Sequence, residues 1–442
     1  MKKGLIIFSL ATLCVTSQAQ EGWTLRQCID YAIEHNIEIQ QTANEAEQNA
    51  IEVNTAKWAR LPNLSGSAGQ NWSWGRSQSP KDNTYSDVNS GSTQFGLNTN
   101  VPLFTGLQLP NQYALSKLNL KAAIEDLNKA KEDIAINVTS SYLQVLFNME
   151  LSKVAASQTE LSKEQCKRII RLAEVGKASS AEVAEAKARV AQDEMSLVQA
   201  ENNYQLALLD LSQLLELPTP EGFTLAQPDT VVNFVPLTAP DDIYTEALSN
   251  KPGIRAAQFR LEGSEKSIRI AQSNYYPQLS FGASIGTNFY TLNGSAEHSF
   301  GSQLKNNLNK GIGFNLSVPL FNRLATRNRV RSARLQQTNL ALQLDNTKKV
   351  LYKEIQQAWY NAVAAESKFN SSMAAVTANE ESFRLMSEKF DNGKATFVEY
   401  NEAKQNLTKS LSDKIQCTFE KACGSGGSCA MAQGRWSTDS AA

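Results

Sequence analysis

Side chains able to carry covalent or metal chemistry are few, and their spacing does not suit it. The 442 residues hold two histidines, His35 and His298, and neither sits in an HExxH or similar ligand pattern. The six cysteines are scattered without a CxxC, which argues against a zinc site or a disulfide framework. No nucleophile, metal or cofactor pattern accompanies them, so neither enzyme chemistry nor a cofactor is expected. What recurs instead is an acidic turn. Gly176-Lys177-Ala178-Ser179 is followed by Glu182 and Glu185, and Gly393-Lys394-Ala395-Thr396 by Glu399 and Glu402. Each glycine fits the position that ends a helix in a left-handed conformation. Ser179 with Glu182, and Thr396 with Glu399, match the S/T-x-x-E capping box that opens the next helix. Capping therefore accounts for Glu399, whereas Glu402 has no such duty and is either a free charge or ordinary solvated helix surface.

The two turns belong to a duplicated chain. Asn36 recurs as Asn250 at an offset of 214, and Leu61-Pro62-Asn63-Leu64 as Tyr276-Pro277-Gln278-Leu279 at 215. Val101-Pro102-Leu103-Phe104 recurs as Val318-Pro319-Leu320-Phe321 at 217, the offset that also relates the glycine turns. Between the copies, residues 216–240 hold five of the chain's 12 prolines, as expected at a seam. This predicts a first repeat over 20–215, a Pro-rich linker over 216–240 and a second repeat over 241–422.

Each copy reads as helix, strand, loop, strand, very long helix, returning helix. Leu120, Ile124, Leu127, Ile134, Val138, Tyr142, Val145 and Met149 form an apolar stripe at steps of three and four. Leu340, Leu344, Leu351, Ile355, Trp359 and Ala362 form its counterpart. Neither proline nor glycine interrupts Asn111 to Val175 or Arg323 to Asn392. Helices of that length would run roughly 100 Å at about 1.5 Å per residue. On the stripes alone, a soluble coiled-coil rod is the simpler reading.

Four segments with period two change that reading. Phe95, Leu97, Thr99 and Val101 alternate with Gln94, Gly96, Asn98 and Asn100. Leu279, Phe281, Ala283 and Ile285 alternate with small polar residues, and so do Ile312, Phe314, Leu316, Val318 and Leu320. Leu64 to Gly75 is weaker but ends in Trp72 and Trp74. Each run has the length, about 10 to 12 residues, of a tilted membrane-crossing strand. The polar face is Gly, Ser and Asn with almost no charge, as suits a water-filled lumen. Polar loops at 75–92 and 292–309 join each strand pair. Four strands cannot close a barrel, and open edges are not tolerated in lipid, so several identical chains must pool their strands. Trimers would give 12 strands and dimers eight.

The N-terminus agrees with export. Lys2 and Lys3 precede an apolar run from Leu5 to Val15, and Ser17-Gln18-Ala19 offers a cleavage site, so residues 1–19 read as a signal peptide. Leu13 before Cys14 does not fit lipidation. No later segment is apolar enough for a transmembrane helix. The formal net charge of −1 gives no basic footprint for nucleic acid.

With the duplication, the V-P-L-F signature at Pro102 and Pro319, and the V-G-K-A-S and N-G-K-A-T turns in place, the chain resembles the TolC-like outer-membrane factor (outer membrane efflux protein) family over about Trp23 to Ser412. The resemblance implies a mainly α fold with a membrane β-barrel: a homotrimer whose four strands per chain make a 12-strand barrel above a long antiparallel helical tunnel. It places the protein in the outer membrane of a Gram-negative bacterium, in contact with outer-membrane lipid. It implies a periplasmic adaptor (membrane fusion) protein and an inner-membrane pump as partners in efflux. Type I protein secretion is the alternative channel role, and a secreted coiled-coil structural protein the alternative outside that class. It implies strand-to-helix switches at Pro102 and Pro319. It also implies an ion-selecting acidic ring at the periplasmic mouth from Glu399 and Glu402, with Glu182 and Glu185 as first-copy counterparts. Ala395 stands where some members place a latching arginine. The 217 offset maps the first returning helix's end, near Leu215, onto Ala432. The Gly/Ser/Cys run from Cys423 predicts instead that the helix stops by Ala422, leaving 423–442 as a disordered tail.

Overall fold

The computed structural model describes residues 22–78, 83–87, 89–218, 223–226, 238–292, 296 and 298–432. The signal peptide, most of the Pro-rich linker and the last ten residues lie outside these. In chain order the elements are α1 (Leu25–His35), α2 (Ile37–Trp58), β1 (Asn63–Ser73), β2 (Arg76–Gln78), β3 (Tyr85–Asp87), β4 (Ser90–Phe104), α3 (Gln108–Glu174) and α4 (Ser180–Leu214). There follow α5 (Pro240–Asn250), α6 (Pro252–Ser273), β5 (Gln278–Leu292), α7 (Phe300–Asn306), β6 (Asn309–Ser317), α8 (Ala325–Asp391) and α9 (Phe397–Ala432). The two long helices are each 67 residues.

Two compact units divide the chain, and each draws on both copies of the repeat. One holds residues 1–41, 129–249 and 351–442, the other residues 42–128 and 250–350. The second unit contains a four-stranded antiparallel sheet of order β1-β4-β5-β6. Its register sorts the side chains by face. Phe281 pairs with Phe314 and Val101, Ala283 with Ile312 and Thr99, and Leu279 with Leu316. The opposite face pairs Gly282 with Gly313 and Asn100, and Ser280 with Asn315 and Pro102. Period two in the sequence thus becomes one apolar and one small polar face. The apolar face lies open in the single chain, Phe314 being 71% exposed.

Three local expectations need correction. Val318, Pro319 and Leu320 were expected in the last strand, but β6 ends at Ser317. Ser317 faces Gln278, the first residue of β5, so Val318 finds no partner to pair with. Pro102 stays inside β4, where a register shift between Pro102 and Phe104 accommodates the missing N–H. The polar loops are also more structured than expected, holding the β2–β3 hairpin and the one-helix insertion α7. Finally, α9 continues past Ala422 to Ala432. Glycines cost a helix about 1 kcal/mol each relative to alanine but, unlike proline, leave the hydrogen-bond ladder intact.

The helix at the start of each copy is split in two. Asn36 caps α1 and turns the chain into α2, its Oδ1 accepting from the Glu38 and Ile39 amides at 3.0 and 3.4 Å. In the second copy, Asn250 ends α5 and Pro252 opens α6. Packing in the first unit centres on Val138, Tyr142, Val145, Leu211 and Leu215. There Tyr142 Oη donates to the Ala226 carbonyl at 2.8 Å. Cys28 is buried beside this core, and burial pushes its thiol up to about 12.

The chain reverses from strand to helix a few residues beyond each V-P-L-F. Gly106 and Leu107 hold φ of 61° and 67°, and Arg323 and Leu324 hold 55° and 62°. Two consecutive left-handed residues make the corner in both copies, and only Gly106 is spared the Cβ penalty. A Cβ at Gly106 would also lie 2.5 Å from the Ser273 carbonyl oxygen, whereas Gly176 is open. Gly176→Ala should therefore cost about 1 to 2 kcal/mol for its left-handed backbone alone. Gly106→Ala should cost distinctly more in the same denaturation series followed by circular dichroism, and equal losses would refute the steric account.

Candidate functional site

The two glycine turns close the hairpins α3–α4 and α8–α9. At the first, Gly176 has φ of 71°, its N–H donates to the Ala173 carbonyl at 3.0 Å, and the Lys177 N–H to Leu172 at 2.8 Å. At the second, Gly393 has φ of 68°, with Gly393 to Phe390 at 3.1 Å and Lys394 to Lys389 at 2.8 Å. This is the Schellman closure, which satisfies helix-end carbonyls that would otherwise lack donors.

Both capping boxes form. Glu182 N–H donates to Ser179 Oγ at 3.2 Å and Ser179 N–H to Glu182 Oε2 at 2.6 Å. Glu399 N–H donates to Thr396 Oγ1 at 3.2 Å and Thr396 N–H to Glu399 Oε2 at 2.8 Å. The Ser179 amide, and then its hydroxyl, holds the Glu182 carboxyl below its usual range; Thr396 does the same for Glu399. A carboxylate with a lowered folded pKa contributes fully above the unfolded value of about 4.5, and that contribution fades as pH falls through the folded one. Glu185 and Glu402 are exposed and make no ion pair among the described residues. The structure thus separates one committed and one uncommitted carboxylate at each turn.

The two hairpins meet in an aromatic core. Cys166, Ile169, Ala186, Phe397 and Tyr400 are buried together, with Phe383 and Phe390 against them. Phe390 and Tyr400 ring centroids lie 5.0 Å apart. Ala395 carries no latch. An arginine from the other hairpin acts nearby instead: Arg168 pairs with Asp391 and stacks 5.5 Å from the Phe390 ring.

Further from the turns lies a buried charged layer that the sequence reading missed. Lys404 on α9 is 3% exposed. Its Nζ donates to Ser162 Oγ on α3, and lies 3.4 Å from Asp193 Oδ2 on α4 and 3.4 Å from the Gln158 carbonyl. Ser162 Oγ donates to Asp193, and Arg189 Nε lies 3.6 Å from Asp193 Oδ1. Burial lowers the Lys404 pKa, and the Asp193 charge opposes that shift. One signal was available. Phe397, Tyr400, Lys404, Leu407 and Leu411 follow steps of three and four, which puts a lysine on the packed stripe of α9.

Removing one partner of a buried pair strands the other charge. Lys404→Met alone should therefore cost about 3 to 5 kcal/mol. Lys404→Met with Asp193→Leu should recover most of that loss. Guanidinium denaturation of the three proteins checks it, and a double variant as unstable as the sum of the singles would contradict the pairing.

The pattern described as "Outer membrane efflux protein" matches residues 28–216 and 243–418, one stretch in each copy. The outer membrane protein TolC of Escherichia coli (strain K12) is 23% identical over 420 residues, covering 92% of this chain and 81% of that protein. The pyoverdine export outer membrane protein OpmQ of Pseudomonas aeruginosa is 26% identical over 239 residues, 53% of this chain and 47% of that one. The crystal structure of the Campylobacter jejuni CmeC outer membrane channel superposes with a TM-score of 0.80 at 18% identity, covering 93% and 84% of the two chains. The outer-membrane channel OprN gives 0.79 at 20% identity, covering 93% and 90%. With the family pattern spanning both copies, the chain belongs to the outer membrane efflux protein family, outer-membrane channels with a periplasmic helical domain.

Proposed function

We propose that three copies of this chain form a passive exit duct through the outer membrane, joined in the periplasm to an adaptor protein and an inner-membrane pump. The observation that carries this reading is the sheet. It has two unpaired edges, β1 and β6, and an apolar face open to its surroundings. In lipid each unpaired backbone group costs several kcal/mol, so the edges must be closed by other copies. Four strands from each of three chains make 12, an even number within the range of bacterial barrels. The lumen-side residues, Gly, Ser and Asn, offer no catalytic group and no charge barrier to a solute. The energy for transport must come from a partner, since the duct has none of its own.

Glu402, with Glu185, supplies the uncommitted carboxylates at the hairpin turns. Three converging copies of Glu402 would focus a negative potential at the narrow end and favour cations.

Two measurements test the reading. Extracted in detergent, the protein should size as a trimer and conduct in planar bilayers; a monodisperse, fully helical monomer would overturn the shared barrel. Glu402→Gln should move the reversal potential in a salt gradient toward the unselective value, by more than Glu399→Gln does. No shift would make Glu402 ordinary helix surface. The register of the sheet carries its own prediction. Phe314→Arg and Phe281→Arg, on the lipid side, should each destabilise the barrel by about 2 to 4 kcal/mol near the bilayer midplane. Gly313→Ser, on the opposite face with open space around it, should leave heat-modifiability unchanged.

A further inference from the structure

Each strand of the sheet is joined to one helix of the same unit. The chain enters β1 from α2 and β5 from α6, and leaves β4 into α3 and β6 into α8. The helices inherit the strand order, so α3 and α6 adjoin. Arg255 accordingly reaches Glu125 at 2.8 Å, and Arg260 pairs with Asp126. By the same order α2 and α8 stand at opposite edges. Closing the sheet onto further copies brings α8 of one copy beside α2 of the next, running antiparallel.

Those two edges carry complementary surfaces. On α2, residues 42–58 hold Glu45, Glu47 and Glu52 against a single Lys57. On α8, residues 325–342 hold Arg327, Arg329, Arg331 and Arg334 and no acid. All seven of these glutamates and arginines are exposed, and among the described residues none is ion-paired. The corresponding start of α3, one repeat earlier, has no such arginine cluster. Between the charges run apolar residues seven apart, the spacing of a coiled-coil seam. Ile51 and Trp58 are 58% and 53% exposed on α2; Leu335 and Leu342 are 67% and 63% exposed on α8. Arg327, Arg331 and Arg334 fall within about 60° of arc beside the Leu335–Leu342 line. The depths also agree. Glu52 and Arg331 each stand six residues from the helix end nearest the sheet, about 9 Å along the axis.

We propose that α8 of one copy docks on α2 of a second copy through this seam, Leu335, ten residues from the sheet end of its helix, packing against Ile51, seven residues from the sheet end of its own. The arginines of α8 then neutralise the glutamates of α2. The proposal rests on the shared-barrel reading and adds to it the residues that choose the neighbour. A free α8 edge repels another α8 edge and accepts only α2, so the charges fix both partner and direction around the ring.

Charge reversal tests it in the full-length protein in mild detergent. Arg327→Glu, Arg331→Glu and Arg334→Glu together should raise the concentration of half-dissociation of the trimer by on the order of tenfold, the scale of a few exposed ion pairs turned to repulsions. Glu45→Arg, Glu47→Arg and Glu52→Arg together should do the same, and the six changes combined should restore assembly. Salt should weaken the wild-type trimer, since exposed pairs are screened beyond about 10 Å at 0.1 M. A wild-type protein that is monomeric would overturn the shared barrel itself. A wild-type trimer with reversed sets that assemble normally, or with six changes worse than either three, would overturn the seam alone. Glu52→Cys with Arg331→Cys gives a readout independent of these losses. Oxidation should yield covalent dimers and trimers on denaturing gels, and monomers only would refute the juxtaposition.

Discussion

A strand at the edge of a sheet presents a row of amide and carbonyl groups that only another backbone or water can satisfy, and lipid offers no water. β1 and β6 are such edges. Much else in the chain follows from having to close them without a further strand of its own. The apolar faces of Phe281, Phe314, Ile312 and Leu316 have no helix over them, because a cover from the same chain would bury the surface that must meet lipid. The duplication supplies two strand pairs, and β4 and β5 join them at the centre of the sheet. Pairing inside the chain is thus complete at the middle and absent at the rims. On the proposed shared barrel, self-association is then a condition of the fold and not an addition to it.

Passing from sheet to helix sets the next constraint. A strand that ends in water or at a membrane surface must turn sharply if the helix after it is to stay in line. Both copies solve this with two consecutive left-handed residues, although the second copy uses Arg323 and Leu324 in place of Gly106 and Leu107. Non-glycine residues in that region cost about 1 to 2 kcal/mol each, so the corner is held by its surroundings. Around Gly106 the reason is close approach of the Ser273 carbonyl, at the end of α6. Arg323 and Leu324 are exposed, and there the second copy makes the same corner with another sequence.

What was legible in the sequence had short range. The glycine turns and capping boxes are chemistry between residues three to five apart, and both appeared with the donors and acceptors expected of them. The strand faces were legible because period two survives any register. Strand ends were not: β6 stops at Ser317 because β5 has no earlier residue to pair with, a fact about the partner and not about Val318. The helix past Cys423 departs from the sequence pattern for the opposite reason, since glycine weakens a helix without removing any donor. Most of all, Arg168–Asp391 and Lys404–Asp193 join residues more than 200 positions apart, and each looks like surface charge until the hairpins are brought together.

The Lys404 layer shows how such a charge can belong to the interior. α3, α4 and α9 each present a stripe at steps of three and four, and each carries polar residues there: Thr159 and Ser162 beside Cys166 and Ile169, Asp193 beyond Val183, Ala186 and Val190, and Lys404 between Tyr400 and Leu407. Apolar stripes alone would let one hairpin slide against the other by a whole heptad at little loss. A lone lysine that must find one aspartate and one hydroxyl permits a single alignment, because every other register buries charge unpaired. Such a layer gains little net stability, since desolvation offsets most of the attraction, as the lowered Lys404 pKa reflects. Its effect is on register. Long helical hairpins whose turns must end level with one another depend on register more than on strength, and a buried ionic layer supplies the first at small cost to the second.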